Sequence, residues 1–341
     1  LTMPERWFEL RFSGFEQDAI PMLVTSLFSM PENEMLWSDR IPCLPSSGDE
    51  ANKATIRKLA ASLNLEISAR RMENALSRPD NDRSLHDRWL LAQQHLLSWR
   101  AKDETEAETA IRAILARWPH HTPSLTSLVE ILNTRHHIFP GIFPDMKRSE
   151  EALQLARRAA RTAPRDSRIQ LALGWSHLMV KRPEQANYQF ALALQLNDND
   201  PLTLISAAMG ICYCGDHERA CEVAKQALEA GAGGEPTHWA YHACIRYYCD
   251  DLEGARQAAA MSVGSAHYVA GMQAAIAGRA GDHAAAKTFA EQFKKEVAAS
   301  WYSSKKPTSP VVRKWLVESF PITLASDRAK LEVGLDAAGL C

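Results

Sequence analysis

Cys212, Cys214, His217 and Cys221 stand close together, and thiolate and imidazole donors at such short range are what a soft metal ion needs. Their pattern, Cys-x-Cys-x-x-His-x-x-x-Cys, lacks the two-residue interval usual between paired thiolate ligands. Cys214 and Cys249 also occupy the same place in successive segments, as expected where a small, half-buried side chain is wanted. The set therefore reads as packing rather than as a metal or redox centre, and no metal and no cofactor is expected. The chain holds seven cysteines, at 43, 212, 214, 221, 244, 249 and 341. An odd number without a framework of spacings fits a reducing cytoplasm better than a disulfide-stapled secreted domain.

The histidine pairs offer no stronger chemistry. His120-His121 follows Trp118-Pro119 at a helix end, where imidazolium suits the C-terminal dipole, and His136-His137 enters an irregular stretch. Neither pair has a carboxylate at metal-triad spacing, so both read as surface or capping residues. The sequence contains no phosphate-cradling Gly-x-x-x-x-Gly-Lys loop, no Gly-x-Ser-x-Gly elbow and no His-Glu-x-x-His. No catalytic residue is assigned, and the chain is expected not to be an enzyme. Its 39 basic and 41 acidic residues are interspersed, which leaves no continuous stripe for nucleic acid or an anionic membrane. No apolar run is long enough to span a bilayer, and no signal-peptide order opens the chain. A start at Leu1 rather than Met suggests a fragment or a processed product.

A repeat organises the middle of the chain. RPEQANYQFALALQL is followed 34 residues later by GDHERACEVAKQALEA, which aligns Ala186 with Ala220. The same step backwards reaches Ala152; Ala255 and Ala286 continue the series, and Ala110 begins it. Lys181-Arg182-Pro183, Cys214-Gly215-Asp216, Cys249-Asp250-Asp251 and Ala280-Gly281-Asp282 each place a helix stop before a polar helix start. HHIFPGIFPDM, with two prolines and Gly141, interrupts the pattern as an insertion that packs against its neighbour rather than reaching over the array. Gly231-Ala232-Gly233-Gly234 reads as a flexible joint between units.

This period and these residues resemble the tetratricopeptide repeat, most clearly where Leu173, Gly174, Ala186, Phe190 and Ala193 fall on family positions, and again at Trp239, Ala243 and Ala255. The resemblance implies a mostly α chain: a right-handed solenoid of five or six helical hairpins, each stabilised by its neighbours. It also implies a concave face lined by Leu171, Trp175 and Met179, by Ile205, Met209 and Tyr213, and by Ala240, Cys244 and Tyr248. These side chains suit an apolar peptide, a partner helix or an internal segment, and lack the lysines and asparagines that would clamp a terminal carboxylate. Either they form a groove for a partner, or the superhelix closes and they are core.

The ends differ. Alternation over Arg6–Phe12, an apolar run over Ile20–Ser29 and Glu34–Ile41 give three short strands, and Ile56, Leu59, Leu63 and Ile67 form one stripe of a long helix from about Glu50 to Leu76. The expected division is a β-rich element of a small α/β domain over 1–48, a long helix and linker over 49–83, the array over 84–300 and packing helices over 301–341. LWSDR, the long helix, a break and then the array resemble the regulatory half of bacterial signalling proteins. In these, a small domain similar to the N-terminal domain of TolB precedes the repeats, and the effector is a winged-helix DNA-binding domain or a class III nucleotide cyclase. The tail FPITLASDRAKLEVGLDAAGL is similar to that family's closing segment. The resemblance implies a non-catalytic cytoplasmic module that binds a protein, a peptide or a small ligand and serves a transcription regulator. The alternatives are the regulatory region of a cyclase and a passive scaffold. Exposed strand edges add self-association as an expectation.

Overall fold

The computed structural model describes residues 7–42, 49–79, 82–96, 100–302 and 305–340, so Cys43 and Cys341 lie outside the described residues. The chain divides into two compact units, Leu1–Leu91 and Ala92–Cys341.

In the first unit β1 (Trp7–Gln17), β2 (Ile20–Met30) and β3 (Glu34–Pro42) form an antiparallel meander in chain order. Asp18 and Ala19, with φ of 50° and 61°, make the two-residue turn whose twist matches the flanking strands. β1 runs on to Gln17, past the Phe12 at which its own alternation ends, because pairing with β2 continues through Phe15 opposite Met22. Thr25, Leu27 and Ser29 are buried on one face of β2, as the two-residue period of a strand requires. The long helix α1 (Asp49–Ser77) packs against β3. Leu59, Leu63 and Ile67 are half-buried, but Ile56 is exposed, so the expected stripe starts a turn later.

α2 (Leu85–Leu96) runs across the division, and α3 (Ala101–Arg117) packs on α4 (Thr122–Ile138) in the second unit. Five hairpins follow among the described residues: α4 with α5 (Met146–Thr162), α6 (Ser167–Met179) with α7 (Pro183–Leu196), α8 (Pro201–Tyr213) with α9 (His217–Glu229), α10 (Pro236–Tyr248) with α11 (Leu252–Met261), and α12 (Val269–Arg279) with α13 (His283–Ala299). The last four share one turn. Lys181, Gly215, Asp250 and Gly281 each take a positive φ, and the next residue's amide bonds back to His177, Ile211, Arg246 or Ala277. Asp216, Asp251 and Asp282 then accept a hydrogen bond from the first turn of the following helix.

Ala152, Ala186, Ala220, Ala255 and Ala286 are fully buried on the second helix of consecutive hairpins. Burial repeats four and seven residues on, at Ala156 and Ala159, Phe190 and Ala193, and Ala224 and Ala227. The same spacing in α3 selects Ala107, Ile111 and Ile114, and the expected Ala110 is only half-buried. The insertion after α4 lengthens the interval from Ala107 to Ala152, so counting back by one period alone misses it.

Phe190 shows what these small positions do. Its ring lies between α6 and α8, so close that a Cβ on Gly174 would stand 2.6 Å from it and one on Gly210 2.2 Å from it. Both glycines are therefore required by space rather than by backbone conformation.

The insertion is packed rather than projecting. α4 continues through Ile138, Phe139 and Pro140 are buried, and Gly141 (φ 92°) lies under the indole of Trp301, while the Tyr302 amide donates to Pro140 O at 2.8 Å. The glycine-rich stretch after α9 is also tied down: Ala232 is buried, Trp239 Nε1 donates to Gly233 O at 2.9 Å, and His242 Nε2 lies 3.0 Å from Ala232 O. Two final helices, α14 (Ser309–Ser319) and α15 (Ala325–Ala337), pack on α12 and α13.

Gly210→Ala should lower stability by about 1–3 kcal/mol, the usual cost of overpacking. Adding Phe190→Leu should recover part of that loss. Urea denaturation of the two single variants and the double variant checks this; strictly additive losses would show that the ring does not set the α6–α8 spacing.

Candidate functional site

The inward positions form a continuous line. Trp175, Tyr213 and Tyr248, from three successive hairpins, meet edge to face, with centroids 6.3 Å apart for the first pair and 6.0 Å for the second. Leu171, Trp175 and Met179 are half-buried, whereas Ile205, Met209, Tyr213, Cys244 and Tyr248 are buried.

The cover on this line is the chain's own C-terminal segment. Phe320 packs against Tyr213 at 6.0 Å, Tyr268 at 5.3 Å and His137 at 5.2 Å. Thr323 donates from both its amide (3.2 Å) and its hydroxyl (2.7 Å) to Tyr213 O, and Leu324 rests on Gly215. This is a helix-end carbonyl that no intrahelical donor reaches. Upstream, Trp315 Nε1 donates to His136 O at 2.9 Å, and Ser319 Oγ donates to the same oxygen. Downstream, Tyr247 OH donates to Lys330 O at 2.7 Å, Lys330 Nζ donates to Tyr248 O at 2.9 Å, and His217 Nε2 lies 2.7 Å from Asp327 Oδ2. Gly278 and Gly334 let the backbones of α12 and α15 touch; a Cβ on Gly278 would stand 2.2 Å from Gly334 O.

This cover revises the reading of the histidines and cysteines. His136 and His137 are not surface residues. Burial lowers their pKa values to about 4 and about 3, so both rings are neutral. His121 caps the start of α4, with Nδ1 2.8 Å from Ser124 Oγ, and burial lowers its pKa too. Cys212 and Cys244 are buried thiols, the latter pushed up to about 12, and are therefore poor nucleophiles. Cys221 is paired with Cys249 as a disulfide, which corrects the expectation of inert separate thiols. The α9–α10 connection brings the two together across 28 residues, a proximity that spacing alone does not reveal. Among the described residues the one close trio of metal-donor types is His95, Asp103 and Glu106, where Arg100 already lies 2.7 Å from Asp103.

Beside the covered line the inner side of the array keeps a cavity of about 950 Å³. Its walls come from the end of α4 (Thr134, His137, Ile138), the start of α10 (Glu235, Pro236, Thr237, Tyr241), the stretch 263–273, and α13 with the residue after it (Gln292, Glu296, Ala299, Ser300). None of the nine inward positions expected from the sequence lines it. Tyr241 and Tyr268 could have been flagged as aromatics flanking an inner helix, but only the approach of α4 to α12 makes a cavity of them, as in the 4.4 Å contact between His137 and Tyr268.

No family model matches the sequence, and no curated protein matches it. Solved structures do. The Cut9–Hcn1 hetero-tetramer of APC/C is similar over 78% of this chain and 49% of that chain, at 15% identity and a TM-score of 0.53. PilF of Pseudomonas aeruginosa is similar over 62% of this chain and 90% of its own, at 17% identity and a TM-score of 0.44. A tetratricopeptide repeat protein from Parabacteroides merdae is similar over 75% and 98%, at 11% identity and a TM-score of 0.42. At such identities the likeness concerns the fold alone. The fold is a tetratricopeptide-like α-solenoid preceded by a small three-stranded sheet and a long helix. No helix among the described residues is long and apolar enough to cross a membrane.

The buried imidazoles give a pH dependence with a definite sign. His136, His177 and His242 are lowered to about 4 and His137 to about 3, all chiefly by burial, from an ordinary value near 6.5. The unfolded chain therefore binds more protons, and their contribution to stability is complete above about pH 6.5 and lost as pH falls toward 4. Glu104, raised to about 7 by burial, acts oppositely, because its neutral form suits the fold. Glu130, also raised to about 7 by burial, acts in the same direction as Glu104. Four imidazoles outweigh these two carboxyls, so the melting temperature should drop between pH 6.5 and 4. His137→Phe should flatten that drop; calorimetric melts across the range test it, and an unchanged slope would exclude His137 as a contributor.

Proposed function

We propose that this chain is a non-catalytic sensing module whose solenoid takes a ligand on its inner side and passes occupancy to an effector. The observation that carries this reading is the cavity of about 950 Å³ left open where the C-terminal segment does not cover the inner helices. Its size falls in the range of small-molecule sites, and walls drawn from several hairpins would let occupancy change the curvature of the array. Leu171, Trp175 and Met179, half-exposed, remain the inward positions open to a larger protein or peptide partner. The order of sheet, long helix and array, together with the FPITLASDR tail, supports a transcription regulator as the parent protein. A cytoplasmic setting enters the proposal only as what that resemblance implies, because the Cys221–Cys249 disulfide is of a kind that oxidising compartments retain.

Side chains at the rim allow a test without disturbing the core. Ala299→Trp and Thr237→Trp place an indole in the cavity from positions that are not buried. Thermal-shift screening of the full chain against small metabolites should find ligands that stabilise it. At a hundred times Kd the expected gain is about 2.7 kcal/mol. Both tryptophan variants should lose the response while keeping the unliganded melting temperature; a response retained in both would place binding elsewhere and sink the proposal.

A further inference from the structure

The disulfide between Cys221 and Cys249 joins the two places on which the last helix is seated. Cys221 lies one turn into α9, and Cys249 caps the end of α10. Cys249 Sγ stands 3.4 Å from His217 O, at the start of α9. From α15, two side chains one turn apart reach the same pair of elements. Asp327 Oδ2, buried, lies 2.7 Å from His217 Nε2. Lys330 Nζ donates to Tyr248 O at 2.9 Å and to Asp250 Oδ2 at 2.8 Å, on the residues either side of Cys249. Arg279 Nη2 donates to the other oxygen of Asp250 at 2.6 Å. The covalent bridge and the Asp327–Lys330 pair therefore span one gap, between α9 and the end of α10. Two seats grip a helix together only while their separation matches it, so whatever fixes that separation governs the grip.

The bridge is also reachable. Cys221 and Cys249 are half-buried, whereas Cys212 and Cys244 are buried. Cys214 is half-buried too, but burial pushes its thiol up to about 12, so it supplies little thiolate for exchange within the chain. The bond answers to a reductant from solvent.

We infer that the Cys221–Cys249 bridge is a redox latch for the C-terminal segment. Oxidised, it holds His217 and Asp250 at the spacing that Asp327 and Lys330 match. Reduced, it lets the two seats separate, and α15 with Phe320, Thr323 and Leu324 before it comes away from Tyr213 and Tyr248. The reductant is a small dithiol: one of its thiolates attacks a bridge sulfur, the S–S bond breaks and a mixed disulfide forms, and its second thiolate then displaces the remaining protein sulfur. The dithiol leaves as its own disulfide, and the bridge takes up two electrons and two protons as a pair of thiols. The latch does not require the inner cavity to take a ligand.

Hydrogen exchange of the full chain, purified in air and measured with and without dithiothreitol, tests this, with mass spectrometry of non-reduced peptides to follow the bond. Reduction should speed exchange at least about tenfold over 320–337 and change α4–α7 by less than about twofold, because only the tail loses its seats. Cys221→Ala and Cys249→Ala should each show the fast tail without reductant and no further response, with helicity by circular dichroism retained. Lys330→Met should free the tail in the oxidised chain, and reduction should then add less than it does in the wild type. Cys214→Ala should respond as the wild type does. Any one of four results overturns the inference: the air-purified chain lacks the bond, reduction leaves tail exchange unchanged, exchange rises as much over α4–α7 as over the tail, or reduction speeds the Lys330→Met tail by the same factor as the wild-type tail. The wild-type comparison needs no substituted chain to fold.

Discussion

Close approach between helix backbones is the constraint on which the array depends. Hairpins bury their apolar stripes only if each nests against the next, and nesting fails wherever a side chain holds the axes apart. The alanines at 152, 186, 220, 255 and 286 remove that obstacle at the crossing inside each hairpin. Gly174 and Gly210 remove it between hairpins, where one phenylalanine ring fills the space of two missing side chains. The remaining positions can drift, because dispersion and burial ask only for apolar volume, whereas steric overlap rises steeply with every methyl group.

The same device closes the stack. An open solenoid keeps each repeat in contact with its neighbours alone, so distant repeats are energetically independent. Here α15 reaches α12 through the glycine contact at 278 and 334, and α14 reaches the end of α4 through the indole of Trp315. The segment thus joins the first described hairpin to the last. It also supplies donors to carbonyls at helix ends, such as those of His136, Tyr213 and Tyr248, which would otherwise need water on a concave surface.

What the sequence disclosed and what it withheld divide along the range of the interactions. Hairpins, turns and alanine register follow from contacts within one or two periods, and Ala186, Ala220 and the four shared turns were legible as spacing. The shift from Ala110 to Ala107 was hidden by an insertion that breaks the count. Tyr213 and Tyr248 could be placed on the inner side, but what covers them comes from Phe320, Thr323 and Lys330, about a hundred residues away, and no local pattern records that pairing. The covering of His136 and His137 was withheld for the same reason, whereas Cys221 and Cys249 lie within one period and were hidden because spacing alone does not show which helix faces meet.

Closure also explains where charged side chains can stand on the inner side. Where the tail lies on the helices, water is excluded, so the buried groups there must be apolar, neutral or paired: the phenols of Tyr213 and Tyr248 are shifted upward and the imidazoles of His136 and His137 downward. Where the tail does not lie, Glu235 and Glu296 remain exposed and keep their solvation, which is the condition under which charges can face a cavity without a partner. A ligand of the kind proposed would displace water from walls carried by α13 and the start of α10. Because Thr134 and His137 on the opposite wall belong to α4, an occupant would touch both ends of the hairpin series. In the proposed function the energy of such a contact would depend on how far the array is curved, and that dependence would carry occupancy into the shape of the stack.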